Sequence, residues 1–168
     1  MKNDLLNNKD FLENCKKATL EAFKNKINTK EVNELLKHMP NLTEDVLMNV
    51  SSGVLEAEAS LVSALVWSKV KCYPKDQPWK FEASAWGPGV GGGSCIGFMY
   101  TAYTGSNAWD TFFKNVKAYH AQGIAATAGG FQITWFSSKG TPIGQFNGVL
   151  AGAGVFEIGG SGHWVRTK

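Results

Sequence analysis

Three consecutive glycines, Gly91, Gly92 and Gly93, run into Ser94 and Cys95, and of all segments in this chain of 168 residues this one most invites chemistry. A glycine-rich loop can cradle phosphate with its backbone N–H groups, but that chemistry needs a following Lys-Ser/Thr pair and the start of a helix. Here the loop enters Ile96-Gly97-Phe98-Met99-Tyr100, a strand pattern. The other reading makes Cys95 a thiol nucleophile, with His120 or His163 as base and Asp110 to orient it. No local spacing joins these residues, and a small apolar thiol inside a sheet explains Cys95 equally well. His38, His120 and His163 lack metal-ligand spacing, so neither a metal nor a cofactor is expected. The acids of the second half are Asp110 and Glu157, and Glu157 on a polar strand face reads as a solvated side chain. The sequence therefore reads as that of a non-enzyme, with no catalytic residues to assign.

The elements that would hold these residues fall into two unlike halves. Eighteen of the 19 glycines follow Trp86, and only seven of the 31 charged side chains do. A net charge of +3 with a single Arg gives nucleic acid little to bind, so no nucleic-acid partner is expected. Cys15, Cys72 and Cys95 are an odd set without redox spacing and read as small buried hydrophobes. The first residues, Met1 to Lys9, lack an apolar signal core, which suits a cytosolic product, a mature fragment, or cargo exported without such a signal.

Residues 4 to about 50 predict two or three helices, with Leu5, Leu12, Cys15, Phe23 and Ile27 on one face. Asn28 is placed to cap the second, Pro40 closes it, and Thr43-Glu44-Asp45 starts another. From Leu61 the period changes. Leu61 to Trp67 is apolar on both faces and predicts a strand covered on both sides, whereas Trp79, Phe81, Ala83 and Ala85 alternate with polar residues. A helix capped by Asn107 and ended by Gly123 would line up Trp109, Phe112, Phe113, Val116 and His120. Phe131 to Trp135 alternates, Ser137 to Gly140 turns, and then Gly144, Phe146, Gly148, Leu150, Gly152 and Gly154 share one parity. Small residues alternating with large ones on an inner face, and glycines that permit sharp coiling, predict a closed antiparallel barrel.

Six Trp and ten Phe are more than such an interior can hold. Trp67, Trp79, Trp86, Phe98 and Tyr100 are therefore candidates for an outer surface, covered by the N-terminal helices or meeting a lipid membrane or a host protein. The helices either pack on the barrel or mediate oligomerisation or export.

The glycine words and their order resemble a known family. Gly89-Val-Gly-Gly-Gly-Ser-Cys-Ile-Gly97, then Phe131-Gln-Ile-Thr-Trp-Phe136, Gly140-Thr-Pro-Ile-Gly144 and the ending Ala151 to Trp164 are similar to the virulence-associated (Vap) proteins of intracellular actinobacterial pathogens. The resemblance spans about residues 60–164. It implies a closed Greek-key β-barrel of about eight antiparallel strands with a short capping helix, here over residues 56–168; the helical extension over 1–55 is read from the residues and departs from the family pattern, and together they make an α+β, mainly β fold. It also implies a non-catalytic secreted or host-delivered factor acting on the endosomal or phagosomal compartment. The alternatives are a membrane-active barrel and a thiol enzyme using Cys95.

Overall fold

Alternation of small and charged residues begins at Val54, seven residues before Leu61, with Ala57, Ala59 and Leu61 buried between Glu56, Glu58 and Ser60. The computed structural model describes residues 8–40, 53–124, 129–150 and 156–168, with the backbone alone for 87–90. The expected positions of Leu5, the helix start at Thr43, and Gly152 and Gly154 lie outside the described residues. Strand β1 (Val54–Pro74) pairs antiparallel with β2 (Trp79–Thr101), from Val54 opposite Tyr100 to Cys72 opposite Phe81. Then follow β3 (Ala118–Ile124), β4 (Gly130–Phe136) and β5 (Pro142–Val149) as a meander, and β2 lies beside β5. That order is a Greek key. Strand β6 (Glu157–Ser161) pairs with β3, and β7 (Trp164–Arg166) returns to the start of β2.

The fold is mainly β, but the closed barrel expected from the glycines is not formed. Among the described residues the ladders follow an open path, β1-β2-β5-β4-β3-β6, curled into a half-barrel. At the far edge β7 meets β2 through three residue pairs, and β6 has no ladder to β2. The reason is what fills the concave side. Phe81, Phe131, Trp135, Phe146 and Trp164 are large rings, and two edge strands of five and three residues are too short to seal a curl of that width. The expected alternation of small with large does hold where rings need room. Gly144 lies beneath the ring of Phe112, and Gly97 and Gly148 lie against that of Phe146.

One helix closes an end of the half-barrel, shorter than its sequence pattern predicts. This element, counted third in chain order as α3, spans Ala108–Asn115 and sends Phe112 and Phe113 into the concave core. It stops because Val116 is already extended (φ −67°, ψ 129°) and the Lys117 N–H donates to the Phe136 carbonyl (2.9 Å). Pairing with β4 thus outweighs helical periodicity, and His120 and Gly123 belong to β3. Asn107 makes no side-chain cap; its backbone carbonyl accepts from Thr111 N–H at 2.9 Å.

The N-terminal helices cover the convex side. Helix α1 (Lys9–Phe23) is capped by Asn8 Oδ1, which accepts from the Phe11 N–H, and α2 (Thr29–Leu36) by Asn28 Oδ1, which accepts from Lys30 N–H. Each such cap satisfies a backbone donor that the helix start leaves free, worth about 1 kcal/mol. Their buried faces, including Phe11, Cys15, Phe23, Val32 and Leu35, form a second apolar cluster with Phe98, Tyr100, Ile124 and Phe136 of the sheet. One sheet therefore separates two cores.

Candidate interaction surface

The five residues expected on an outer surface divide into three environments. Phe98 and Tyr100 are fully buried, and Tyr100 OH donates to Gln145 Oε1 at 2.7 Å. For these two, the alternative of cover by the N-terminal helices is the one observed: α1 and α2 occupy their face. Trp79 is half-buried, stacked on Phe113 at 5.2 Å with the Arg166 guanidinium 5.2 Å over its ring. Trp67 and Trp86 lie directly opposite each other across β1 and β2. Trp86 is 82% exposed and Trp67 is half-buried.

These two tryptophans mark an elbow in the long hairpin. The register shifts between Leu65 and Trp67, and Leu65 has φ +42°, which side chains other than glycine and asparagine rarely adopt. Val62, Leu65 and Val66 are 56%, 74% and 63% exposed. This is the stretch expected to be a strand covered on both sides; Leu61 and Ser63 are buried, but Val62, still in regular register with Gly92, and Leu65 and Val66 at the bulge are exposed. No charged side chain occurs from Ala59 to Ser68, nor from Ala83 to Trp109. Beyond the tryptophans the ribbon becomes basic, with Lys69 3.9 Å and Lys80 4.0 Å from Glu82. A hydrogen bond from Tyr73 OH (2.8 Å), then Lys80, Lys69 and Lys71, hold the Glu82 carboxyl below the usual carboxylate range. Leaving a Val or Leu in water forgoes about 1.5–3 kcal/mol of burial, so this apolar corner is a candidate contact site. Local strain at the same residue points the same way.

The residues that invited chemistry are not assembled. Cys95 lies on the concave side, and burial first, then Glu58, pushes its thiol up to about 12. His120 lies on the convex face, with its ring edge-on to Phe23 at 5.1 Å and Nε2 2.8 Å from Glu157 Oε1. Glu157, read as merely solvated, therefore has a partner in His120 and a second in Lys26 at 3.7 Å, and the His120 bond draws its carboxyl below the usual range. His163 is exposed, and Asp110 is bonded to Lys114 at 2.6 Å. Among the described residues, no three His, Cys, Asp or Glu side chains gather as metal ligands. Sequence reasoning missed Val62, Leu65 and Val66. Their signal was the uncharged run itself, which fits a covered strand and an exposed corner alike.

The family described as Rhodococcus equi virulence-associated protein matches residues 6–165 of the chain. The chain belongs to this family. The match includes the N-terminal helices as well as the sheet. Two solved Vap structures share the fold: the virulence-associated protein VapB from the intracellular pathogen Rhodococcus equi (22% identity, TM-score 0.57) and VapD from the same organism (23% identity, TM-score 0.55). Each alignment covers 67% of this chain and 96% of the other. No curated protein matches the sequence. No helix among the described residues is long and apolar enough to cross a membrane, which says nothing of strands.

Proposed function

We propose that this chain is a non-enzymatic virulence-associated factor that acts on the host endosomal or phagosomal compartment by surface contact, through the elbow of its β1–β2 hairpin. Membership of the Vap family supports the virulence role, and the exposed, uncharged corner of Val62, Leu65, Val66 and Trp86 supports contact as the mode of action. The test uses three proteins delivered to macrophages, with acidification of the bead-containing phagosome as the readout. The wild type is expected to alter it. Leu65→Asn combined with Trp86→Ser is expected to reduce the effect at least about tenfold, the equivalent of roughly 1.4 kcal/mol of lost contact. Asparagine tolerates positive φ, so the double variant keeps its fold and the loss is assignable to the surface. Cys95→Ser should act like the wild type; loss of activity there, with the elbow variant fully active, replaces this reading with a thiol enzyme.

One observation favours a membrane as what the elbow touches. Tryptophan and branched aliphatic side chains at a tip, followed by Lys69, Lys71 and Lys80, suit an anionic bilayer surface, with aromatic rings at headgroup depth and ammonium groups beside phosphates. Flotation with phosphatidylserine-containing vesicles is expected to carry the wild type and leave the Leu65→Asn, Trp86→Ser variant behind. Absence of flotation at both neutral and acid pH assigns the elbow to a host protein.

A further inference from the structure

A cleft of about 340 Å³ opens where α2 meets the residues that follow β2 and the start of β5. Leu35, Ala102 and Ile143 give it an apolar lining, Tyr103 adds an aromatic ring, and Glu31 and Thr141 bring polar groups. That size, and a mostly apolar lining with a few polar groups to fix orientation, are those of a small-ligand site. The lining is held in place by its own bonds. The Ala102 N–H and the Thr101 hydroxyl donate to the Ile143 carbonyl at 3.0 and 2.8 Å, and the Tyr103 N–H donates to the Thr101 hydroxyl at 3.2 Å. The Ser137 N–H donates to the Thr141 carbonyl at 2.9 Å. These bonds spend the N–H groups of Ala102, Tyr103 and Ser137, which an anionic ligand would need.

The charge of the cleft points to the opposite sign. Glu31 and Leu35 are one helical turn apart and share a face of α2, so a carboxylate stands beside an apolar side chain. Glu31 is half-buried, and its Oε1 accepts from the Thr141 hydroxyl at 3.2 Å. Among the described residues no cation pairs with it, whereas the neighbouring Glu34 holds Lys37 at 2.6 Å. A carboxylate fixed by a neutral hydroxyl keeps its full charge for a ligand, and partial burial strengthens that attraction.

We infer that this cleft binds an organic monocation, an ammonium or guanidinium on a short aliphatic stem. The charged head pairs with Glu31 and the methylenes lie over Leu35 and Ile143. Long cationic groups partition in this way, stem on apolar surface and head in polar surroundings. The same chemistry arrives as a free alkylamine or as a Lys or Arg side chain of a peptide. The cleft is separate from the elbow, and the inference does not rest on the function proposed above.

Titration of the isotopically labelled full chain with n-butylguanidinium, followed by amide NMR, tests it. Saturable shifts are expected at Ala102, Tyr103, Thr141 and Ile143, with a Kd of about 1 mM or tighter. Butyrate and n-butanol keep the stem and change the head, and should bind at least about tenfold more weakly. Glu31→Gln keeps the size of the side chain and should weaken butylguanidinium about tenfold. Glu34→Gln, whose carboxylate is already paired and exposed, should change the Kd less than about twofold. Unchanged spectra away from the cleft show that both variants keep the fold. The peptide acetyl-Gly-Arg-Gly-amide separates the sources: tighter binding than butylguanidinium assigns the cleft to a basic side chain of a partner, and weaker binding to a free amine. Absence of saturable shifts with either cation overturns the site. Butyrate or butanol binding as tightly as butylguanidinium, or Glu31→Gln binding it like the wild type, overturns the ligand class.

Discussion

Replacing Gly97 with alanine is expected to destabilise the protein by at least about 3 kcal/mol, the upper end of what overpacking costs. Gly97 sits mid-strand in β2, opposite Ala57 of β1 on one side and Gly148 of β5 on the other. A Cβ there falls against the Asn147 backbone carbonyl oxygen and lies 2.7 Å from Phe146 Cζ. The carbonyl cannot turn aside without breaking the β2–β5 ladder, and the ring is held by Phe131 at 6.0 Å. No rotamer change relieves the overlap, so strand separation is the only response. Gly160 in β6 is the control, because nothing lies within 4 Å of a Cβ built on it. Gly160→Ala should be neutral or stabilising by up to about 1 kcal/mol, through restriction of the unfolded chain. Urea midpoints of the two variants decide the matter. Should they lie within about 0.5 kcal/mol of each other, the close approach of β2 to β5 is not there.

The same contrast shows what the amino-acid sequence discloses about this fold. Parity along 79–85, 131–135 and 144–150 tells which side chains share a face, and those assignments hold: Phe81, Ile133 and Phe146 point into one core. Parity does not tell what covers a face. Gln145 and Asn147 hold the polar parity of β5 and are fully buried, because α1 lies on them from more than 100 residues away. Leu61 to Trp67 poses the converse ambiguity, since apolar residues on both faces suit burial and exposure alike. Helix α3 was legible in kind but not in length: Val116 to Gly123 continues the aromatic stripe, and only the partner strand β4 withdraws it. Closure is the least local property. It depends on β6 and β7 meeting β2, and the glycines that permit coiling do not lengthen those two strands. Of the candidate surface, Trp67 and Trp86 were legible as ring residues too many for the interior, while their neighbours Val62, Leu65 and Val66 were not.

Phe112→Ala is expected to cost about 3–5 kcal/mol, the range for deleting a buried ring from a core that collapses incompletely. Phe112 is the plug at the closed end of the half-barrel. Its ring is fully buried, with Trp109, Phe113, Trp135 and Trp164 at centroid distances of 5.5, 5.3, 5.6 and 5.9 Å, mostly edge to face. Such pairs add to the burial term, and four rings each losing a neighbour cannot all re-pack. The floor beneath Phe112 makes the prediction sharper. A Cβ on Gly144 overlaps Phe112 Cε2 and lies 2.9 Å from both Cδ2 and Cζ, so Gly144→Ala alone should cost about 1–3 kcal/mol by displacing the ring. In the Phe112→Ala background that methyl enters the vacated space, and Gly144→Ala becomes neutral or stabilising. The thermodynamic cycle over the two sites should therefore show a favourable coupling of about 1–3 kcal/mol. Additive single effects would show that α3 does not seat its ring on β5, and with that contact goes the reason for a glycine at 144.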